Sequence, residues 1–590
     1  MKLTRKWYPL SRVVPLGLAV TAAPNKKMIP IDPLTGPKQA LRGRVVTMDD
    51  SFMVRPDAIV YIDQGCVIAV QDRAQPPPAG FDDVKVIETS GTLFPGLIEL
   101  HNHLSYNALP LWSPVPKRFE HRDQWSAHKD YRPLISGPMT VIGEYRDSSG
   151  QPAILPALVR YVECKCLLGG VTTSQGIKLN SNAGITHFYR GLVRNVEQTD
   201  DPALSDAQAR IADVDAKDAK NFVKRLNKED SCFLLHLSEG VTDPSRPDDS
   251  MARRHFLALE VAPGEWALND RFSGIHAAGL LPEDFDVLGQ QNGSMVWSPL
   301  SNLLLYGGTA RVDAARAAGV KIGLGSDWSP TGSKNLLGEL KVAWLYSQHA
   351  LSGLLRAQDV VAMATSEAAR ILKWDGVLGT IAPAARADLL VIDGKAGDPY
   401  EALIRAKETN INLVMINGVA RYGTPALMSA LAPEDQTVSV GGHSRKLYLK
   451  QETADPYVDA VLLSTACKQL REALLNIVKL AEQAEKPKPA PAKRAARLDA
   501  PVQPIWSLAL DEIQDRGVDL RPRLPFNGPR DLTGPRRTAV AAAAAPPLST
   551  ILKPVRLDPL TVADDEDFLD AIEQQPNLPE PIKNGLRALY

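Results

Sequence analysis

Between residues 96 and 375 the chain alternates between short apolar runs and segments of helical patterning, and nothing else in it restricts the fold so strongly. Val171-Thr172-Thr173-Ser174, Cys232-Phe233-Leu234-Leu235-His236, Ser294-Met295-Val296-Trp297 and Lys321-Ile322-Gly323-Leu324-Gly325 read as buried strands. Residues 153–168, 213–226 and 309–318 read as helices between them. Helical crossovers join parallel strands, so the alternation argues for parallel β/α units, and some 280 residues of them suit a closed barrel.

β-rich pieces bracket this middle. Residues 39–95 hold strands at 41–48, at 58–62 and 66–70 around the turn Asp63-Gln64-Gly65, and at 84–87. Residues 376–425 hold strands at 387–392 and 411–416, then Asn417-Gly418 as a tight turn into 419–422. Beyond 426 the texture changes. Asp455-Pro456 reads as a helix cap and first-turn proline, followed to residue 485 by apolar positions Val458, Val461, Leu462, Leu470, Leu474, Ile477, Val478 and Ala481 at helical spacing. That face needs a partner, so residues 426–485 are expected to form a helical extension acting as an interaction arm or a homo-oligomer contact. Of 46 prolines, 16 lie from Pro487 onward. Lys486-Pro487-Lys488-Pro489-Ala490-Pro491 reads as a stiff solvated linker, and 486–590 as a proline-rich, partly disordered tail with a last helical piece at 564–572.

The charge sum, 67 basic against 68 acidic residues, gives no overall electrostatic reason to expect nucleic acid or an anionic membrane as partner. No stretch approaches the roughly 20 apolar residues of a membrane span. The five cysteines form no C-x-x-C pair and read as free thiols of a reducing compartment, so a cytoplasmic protein is expected. Lys2, Arg5 and Lys6 precede an apolar run, Val13 to Ala23, in the outline of a secretory leader. Arg12, Pro15 and Gly17 break that outline, so residues 1–38 are read as an N-terminal arm, with secretion the alternative.

Only ten histidines are present, and four stand where strands should end. His101 and His103 follow Leu97-Ile98-Glu99-Leu100 two residues apart, so both imidazoles point to one side. His236 ends one strand, His276 ends Phe272-Ser273-Gly274-Ile275, and Asp327 follows Gly325-Ser326. In a β/α barrel such ends converge on one mouth. Three imidazoles and a carboxylate suit a borderline divalent cation, zinc first, with iron or manganese as alternatives. Glu239, three residues beyond His236, is placed to shuttle a proton beside a metal-activated water.

In sequence order, Pro95-Gly96-Leu97-Ile98-Glu99-Leu100-His101-Asn102-His103, Gly170-Val171-Thr172-Thr173, His236-x-x-Glu239, His276, Pro299-Leu300-Ser301-Asn302-Leu303 and Gly325-Ser326-Asp327 resemble the amidohydrolase superfamily over about residues 40–425. The nearest branch holds cytosine deaminase, triazine hydrolases and adenosine-analogue deaminases. The resemblance implies an α/β fold: a (β/α)8 TIM barrel over 96–375, with 39–95 and 376–425 joined in a small composite β-sandwich. It implies one catalytic metal on His101, His103, His236 and Asp327, and His276 as either a ligand or a hydrogen-bond partner of the attacked group. Asp327 would accept a proton from the nucleophilic water and Glu239 would deliver it to the leaving nitrogen. Two departures stand out. The branch has His-Cys or a similar pair where this chain has Trp297-Ser298, and Lys178 is in the wrong place for the carboxylated lysine of two-metal members.

Trp297, Ser298, Asn302 and Arg190 are candidate substrate contacts. Arg194 and His187 near the third strand, and the aromatic segment with Tyr106, Trp112, Arg118 and Trp125, are further candidates. Trp328-Ser329-Pro330-Thr331-Gly332-Ser333-Lys334 precedes a helix; Ser333 as its cap is the preferred reading, an anion held at its N-terminus the other. The expected function is metal-dependent hydrolysis of a non-peptide carbon–nitrogen bond in a small molecule, by deamination or by amide or cyclic-amide cleavage. Carbon–halogen or ester hydrolysis on the same scaffold is a second reading. A catalytically silent scaffold is a third; such proteins normally lose ligands, and none is missing here.

Overall fold

The computed structural model describes residues 34–181, 186–210, 214, 216–432, 436–452, 454–486, 506–510 and 546–590. Most of the N-terminal arm with its leader-like run, and most of the proline-rich linker, lie outside the described residues.

Eight short parallel strands run through the middle of the chain: Leu97–Glu99, Val171–Ser174, Arg194–Asn195, Gln208–Arg210, Phe233–Leu237, Phe272–His276, Ser294–Trp297 and Lys321–Leu324. The first three form one sheet and the last five another. The Ala207 N–H donates to Val196 O (2.8 Å) between the two sheets, and the Leu100 N–H donates to Leu324 O (3.3 Å), which sets the last strand beside the first. Phe233–Leu237, Phe272–His276 and Ser294–Trp297 are buried at every position, hence their continuous apolar runs. Helices Leu155–Leu168, Ala219–Leu226 and Val312–Ala317 occupy the three expected regions, the second beginning six residues later than 213.

The flanking β pieces meet in a single nine-stranded sheet where a two-sheet sandwich was expected. Its seam pairs Leu389–Asp393 antiparallel with Val86–Pro95, Leu390 opposite Phe94. The sheet continues past 425 into Gln436–Val440 and His443–Leu447, a hairpin on its edge. These strands escaped the sequence reading because they carry Gln, Thr, Ser, His, Arg and Lys on a half-exposed rim.

The expected helix to 485 is broken into Pro456–Asp459, Leu463–Leu475 and Ile477–Glu485. Its apolar face packs within the chain: Leu463–Leu475 lies on Leu155–Leu168, with Leu470, Leu474 and Ile477 buried. The Arg160 guanidinium donates to the carbonyls of Val461 (3.0 Å) and Val458 (3.1 Å). Much of the face that suggested an oligomer contact is therefore covered by the chain itself, while Leu462 stays half exposed. In the tail a helical piece was expected at 564–572, where Phe568–Glu573 lies, but more of it is folded than expected. Residues 546–590 fold into helices Leu548–Ile551, Phe568–Glu573 and Glu580–Leu589, the last packed on Leu336–Ala350. All five cysteines are free thiols. Among the described residues, no helix is long and apolar enough to cross a membrane.

Candidate metal centre

The strand ends bring His101, His103, His236 and Asp327 together. Asp327 Oδ1 lies 3.1 Å from His101 Nε2 and 3.5 Å from His103 Nε2, and the Nε2 atoms of His103 and His236 are 3.3 Å apart. A tetrahedral ion with bonds of about 2.0–2.1 Å sets its ligand atoms about 3.3–3.4 Å apart, so these donors have the spacing of one coordination sphere. His101, His236 and His276 also lie close enough for one ion, so His276 adjoins the same centre.

Neighbouring groups orient the rings. His101 Nδ1 faces Gln175 Oε1 (3.0 Å), which also accepts the Asn102 N–H (3.0 Å). His236 Nδ1 faces the Arg210 carbonyl (3.4 Å). A proton on each Nδ1 leaves an Nε2 lone pair directed at the centre. Burial, then the adjacent His101 and His103, hold His236 well below the ordinary histidine value, in the neutral form that ligates. Burial works against ionising Asp327, but His101 and the other imidazoles outweigh it and keep the carboxyl below the usual carboxylate range.

The backbone is strained at these positions. His276 (φ 68°), Asp327 (φ 64°) and Ser238 (φ 48°), next to Glu239, all occupy the left-handed region that costs non-glycine residues about 1–3 kcal/mol each. Gly325 permits a close approach, because a Cβ there would meet His101 Cβ at 2.4 Å and its carbonyl oxygen at 2.8 Å. Gly325→Ala must push the Asp327 segment away from His101. It should weaken metal binding at least about tenfold and lower stability by about 1–3 kcal/mol. A chelator-competition titration beside thermal unfolding checks this; wild-type affinity in the variant would rule it out.

Glu239 is buried, its Oε2 3.7 Å from His276 Nε2. The Tyr306 hydroxyl donates to its Oε1 (2.7 Å), and the Trp125 indole donates to Tyr306 (2.8 Å). Burial pushes the Glu239 carboxyl up to about 7, with Arg122 and Tyr306 pulling down and Asp327 pushing up. Such a group can take up or release a proton near neutrality. Beside His103 stands an aromatic wall: Trp328 lies 6.0 Å from its ring and contacts Tyr106 (5.0 Å), Trp125 (5.5 Å) and Tyr131 (6.5 Å).

A model of the amidohydrolase family matches residues 92–421, more than half of the chain. The chain belongs to the amidohydrolase family. It is 28% identical over 196 residues to a 5-methylthioadenosine/S-adenosylhomocysteine deaminase of Syntrophus aciditrophicus, a match covering 32% of this chain and 44% of that protein. It is 26% identical over 197 residues to an S-triazine hydrolase of Gordonia rubripertincta, covering 32% of this chain and 40% of that one. These matches thus span less than half of either relative. Among solved structures, an adenosine deaminase from Xanthomonas campestris with bound zinc aligns at 18% identity and a TM-score of 0.49, over 65% of this chain and 93% of that chain.

Other candidate residues of this amidohydrolase have their own places. Asn302 donates to His276 Nδ1 (3.1 Å), and the Trp297 indole N–H is taken up by Thr309 (2.7 Å). Ser298 is fully buried beside them in sequence, and among the described residues its hydroxyl has no hydrogen-bond partner. Arg190 pairs with Asp200, and Arg194 is buried on Asp388, tying the third strand to the nine-stranded sheet. His187 faces Asp455 and Trp506 of the C-terminal extension. Lys178 opens a short strand outside the eight parallel ones. Of the first-loop candidates, Arg118 caps the Tyr306 carbonyl (2.7 Å), while Trp112 packs on Phe119 and His128.

The helix after Asp327 is capped by Asn335, whose side chain accepts the Gly338 N–H (3.2 Å), not by Ser333, whose hydroxyl donates to Glu339. An anion does reach that loop, from the chain itself. The Asp558 carboxylate bonds Lys165 (2.5 Å) and Lys334, and Lys165 also donates to Ser329 Oγ (2.7 Å).

Proposed function

We propose that this amidohydrolase is a one-metal hydrolase built on a (β/α)8 barrel, with zinc on His101, His103, His236 and Asp327. It removes an amino group from a planar, amino-substituted heteroaromatic ring. The convergence of three Nε2 atoms and Asp327 Oδ1 beside Glu239 carries this reading. When bound, the ion would lower the pKa of a coordinated water towards neutrality. The protein's own groups do the rest. Asp327 accepts a proton from the attacking water, Glu239 delivers one to the leaving nitrogen, and His276 holds the attacked group. The aromatic wall around Trp328 offers faces on which a flat ring stacks.

Purified protein should hold about one zinc per chain and release ammonia from 5′-methylthioadenosine or S-adenosylhomocysteine. Chelation should stop turnover, and His101→Ala should lose metal and activity together. A chain that binds no divalent metal, or keeps its activity as His101→Ala, overturns the proposal. Acid or halide release from an s-triazine, without ammonia, would keep the centre and change the bond.

A further inference from the structure

We infer that Trp297, Thr309 and Asn302 form a one-way hydrogen-bond relay that fixes the tautomer of His276, making its Nε2 a proton-bearing donor rather than a metal ligand. The role assigned to His276 rests on the hydrolase reading above; the relay itself rests on donor and acceptor chemistry.

Its direction starts at an indole, which can only donate. Trp297 Nε1–H donates to Thr309 Oγ1 (2.7 Å), and the single Thr309 proton passes to Asn302 Oδ1 (3.2 Å). The structure places the amide with Oδ1 on Thr309 and Nδ2 on His276 Nδ1 at 3.1 Å. An amide nitrogen has hydrogens and no lone pair to offer, so His276 Nδ1 must be the acceptor. In a neutral imidazole the proton then sits on Nε2. Trp297, Asn302 and His276 are buried, and Thr309 nearly so, which leaves little room for water to substitute in the chain of donors.

His101 and His236 show the opposite arrangement. Their Nδ1 atoms face acceptors, Gln175 Oε1 and the Arg210 carbonyl. Those two rings turn lone pairs to the centre, whereas His276 turns an N–H towards Glu239 and the space where charge develops. Neighbours outside the ligand set thus sort three adjacent imidazoles into two ligands and one donor. Trp297 supplies the first donor of the relay. Trp297, Thr309 and Asn302 are positioning residues; the group that meets the substrate is His276.

The test reads the tautomer directly, by nitrogen–proton correlation of ¹⁵N-histidine in the full-length, zinc-treated chain without substrate. His276 should be the Nε2–H tautomer in the wild type and switch to Nδ1–H in Asn302→Asp, whose carboxylate accepts. With cobalt(II) as the metal probe, the visible bands of Asn302→Asp should weaken as Nε2 joins the coordination. With 5′-methylthioadenosine, kcat should fall about a hundredfold at nearly constant KM. Thr309→Val should lose about tenfold and Thr309→Ser should restore it, a rescue that loss of packing would not show. An Nδ1–H tautomer in the wild type, or one unmoved in both Asn302→Asp and Thr309→Val, overturns the relay. Failure of the wild type to bind metal overturns the proposed function instead, since the tautomer is read without turnover.

Discussion

Glu239→Gln is expected to cut turnover about a thousandfold while the chain keeps its metal and gains stability at neutral pH. The carboxyl is buried and pushed up to about 7 from an ordinary 4.5. Between those values the folded chain holds a proton that the unfolded chain releases, so folding stability falls as pH rises through that window. Above about 7 the whole cost is present, at most about 3 kcal/mol. Glutamine keeps an oxygen for the Tyr306 hydroxyl and never ionises, so it removes the cost together with the proton shuttle. Unfolding midpoints of metal-free wild type and variant should coincide near pH 4.5 and separate towards pH 8, the variant higher. Parallel curves across that range, or a variant retaining a tenth of wild-type turnover, would contradict the role given to Glu239.

The second large effect lies about 230 residues downstream of the last ligand. Asp558→Ala should destabilise the chain by about 3–5 kcal/mol, because it strips buried Lys165 of its counter-charge and buried Lys334 of one of its two. Asp558 is fully buried, with Lys165 at 2.5 Å and Lys334 beside it; Asp565 holds Lys334 at 2.8 Å, but the other partners of Lys165 are the neutral Asn107 carbonyl and Ser329 hydroxyl. Burial depresses Lys165 to about 8 even with Asp558 present. Raising the pH from 7 to 9 discharges that lysine and should shrink the deficit. Urea unfolding gives the energy, and limited proteolysis should show residues 546–590 newly cleaved. Lys165→Met with Asp558→Leu, which removes both charges, should recover most of the loss. A deficit under 1 kcal/mol in Asp558→Ala would show that the cluster does not hold the segment.

The cluster at the strand ends was legible because it depends on one local rule, a chemical group at the end of an apolar run. His101, His103, His236, His276, Asp327 and Glu239 all obey it. Tyr306, Gln175, Glu99 and Arg122 were not singled out. Tyr306 reaches Glu239 from a helix, and Glu99, whose carboxylate holds the Ser326 N–H and hydroxyl at 2.7 Å each, reads as one more strand residue. The packing of residues 546–590 was not foreseen for a related reason. Prolines and scattered charges look like solvated chain until Asp558 meets two lysines far away in sequence, an encounter no local pattern announces. Arg190 and Arg194 show the converse: arginines placed near the right strand are already engaged by Asp200 and Asp388.

Asp558 has a consequence for the order in which a ribosome delivers this protein. Its N–H bonds the Ala108 carbonyl (2.9 Å), and Gln575 and Asn577 hold Val115, Trp112, Lys117 and Leu304. Every proposed metal ligand has been made once residue 327 is added, and the seam strand Leu389–Asp393 comes soon after. The segments around Ala108, Val115 and Leu304 gain these bonds only when residues 558–577 are made. During synthesis all the proposed ligands are therefore made long before the residues that hold Ala108, Trp112, Val115, Lys117 and Leu304 in place.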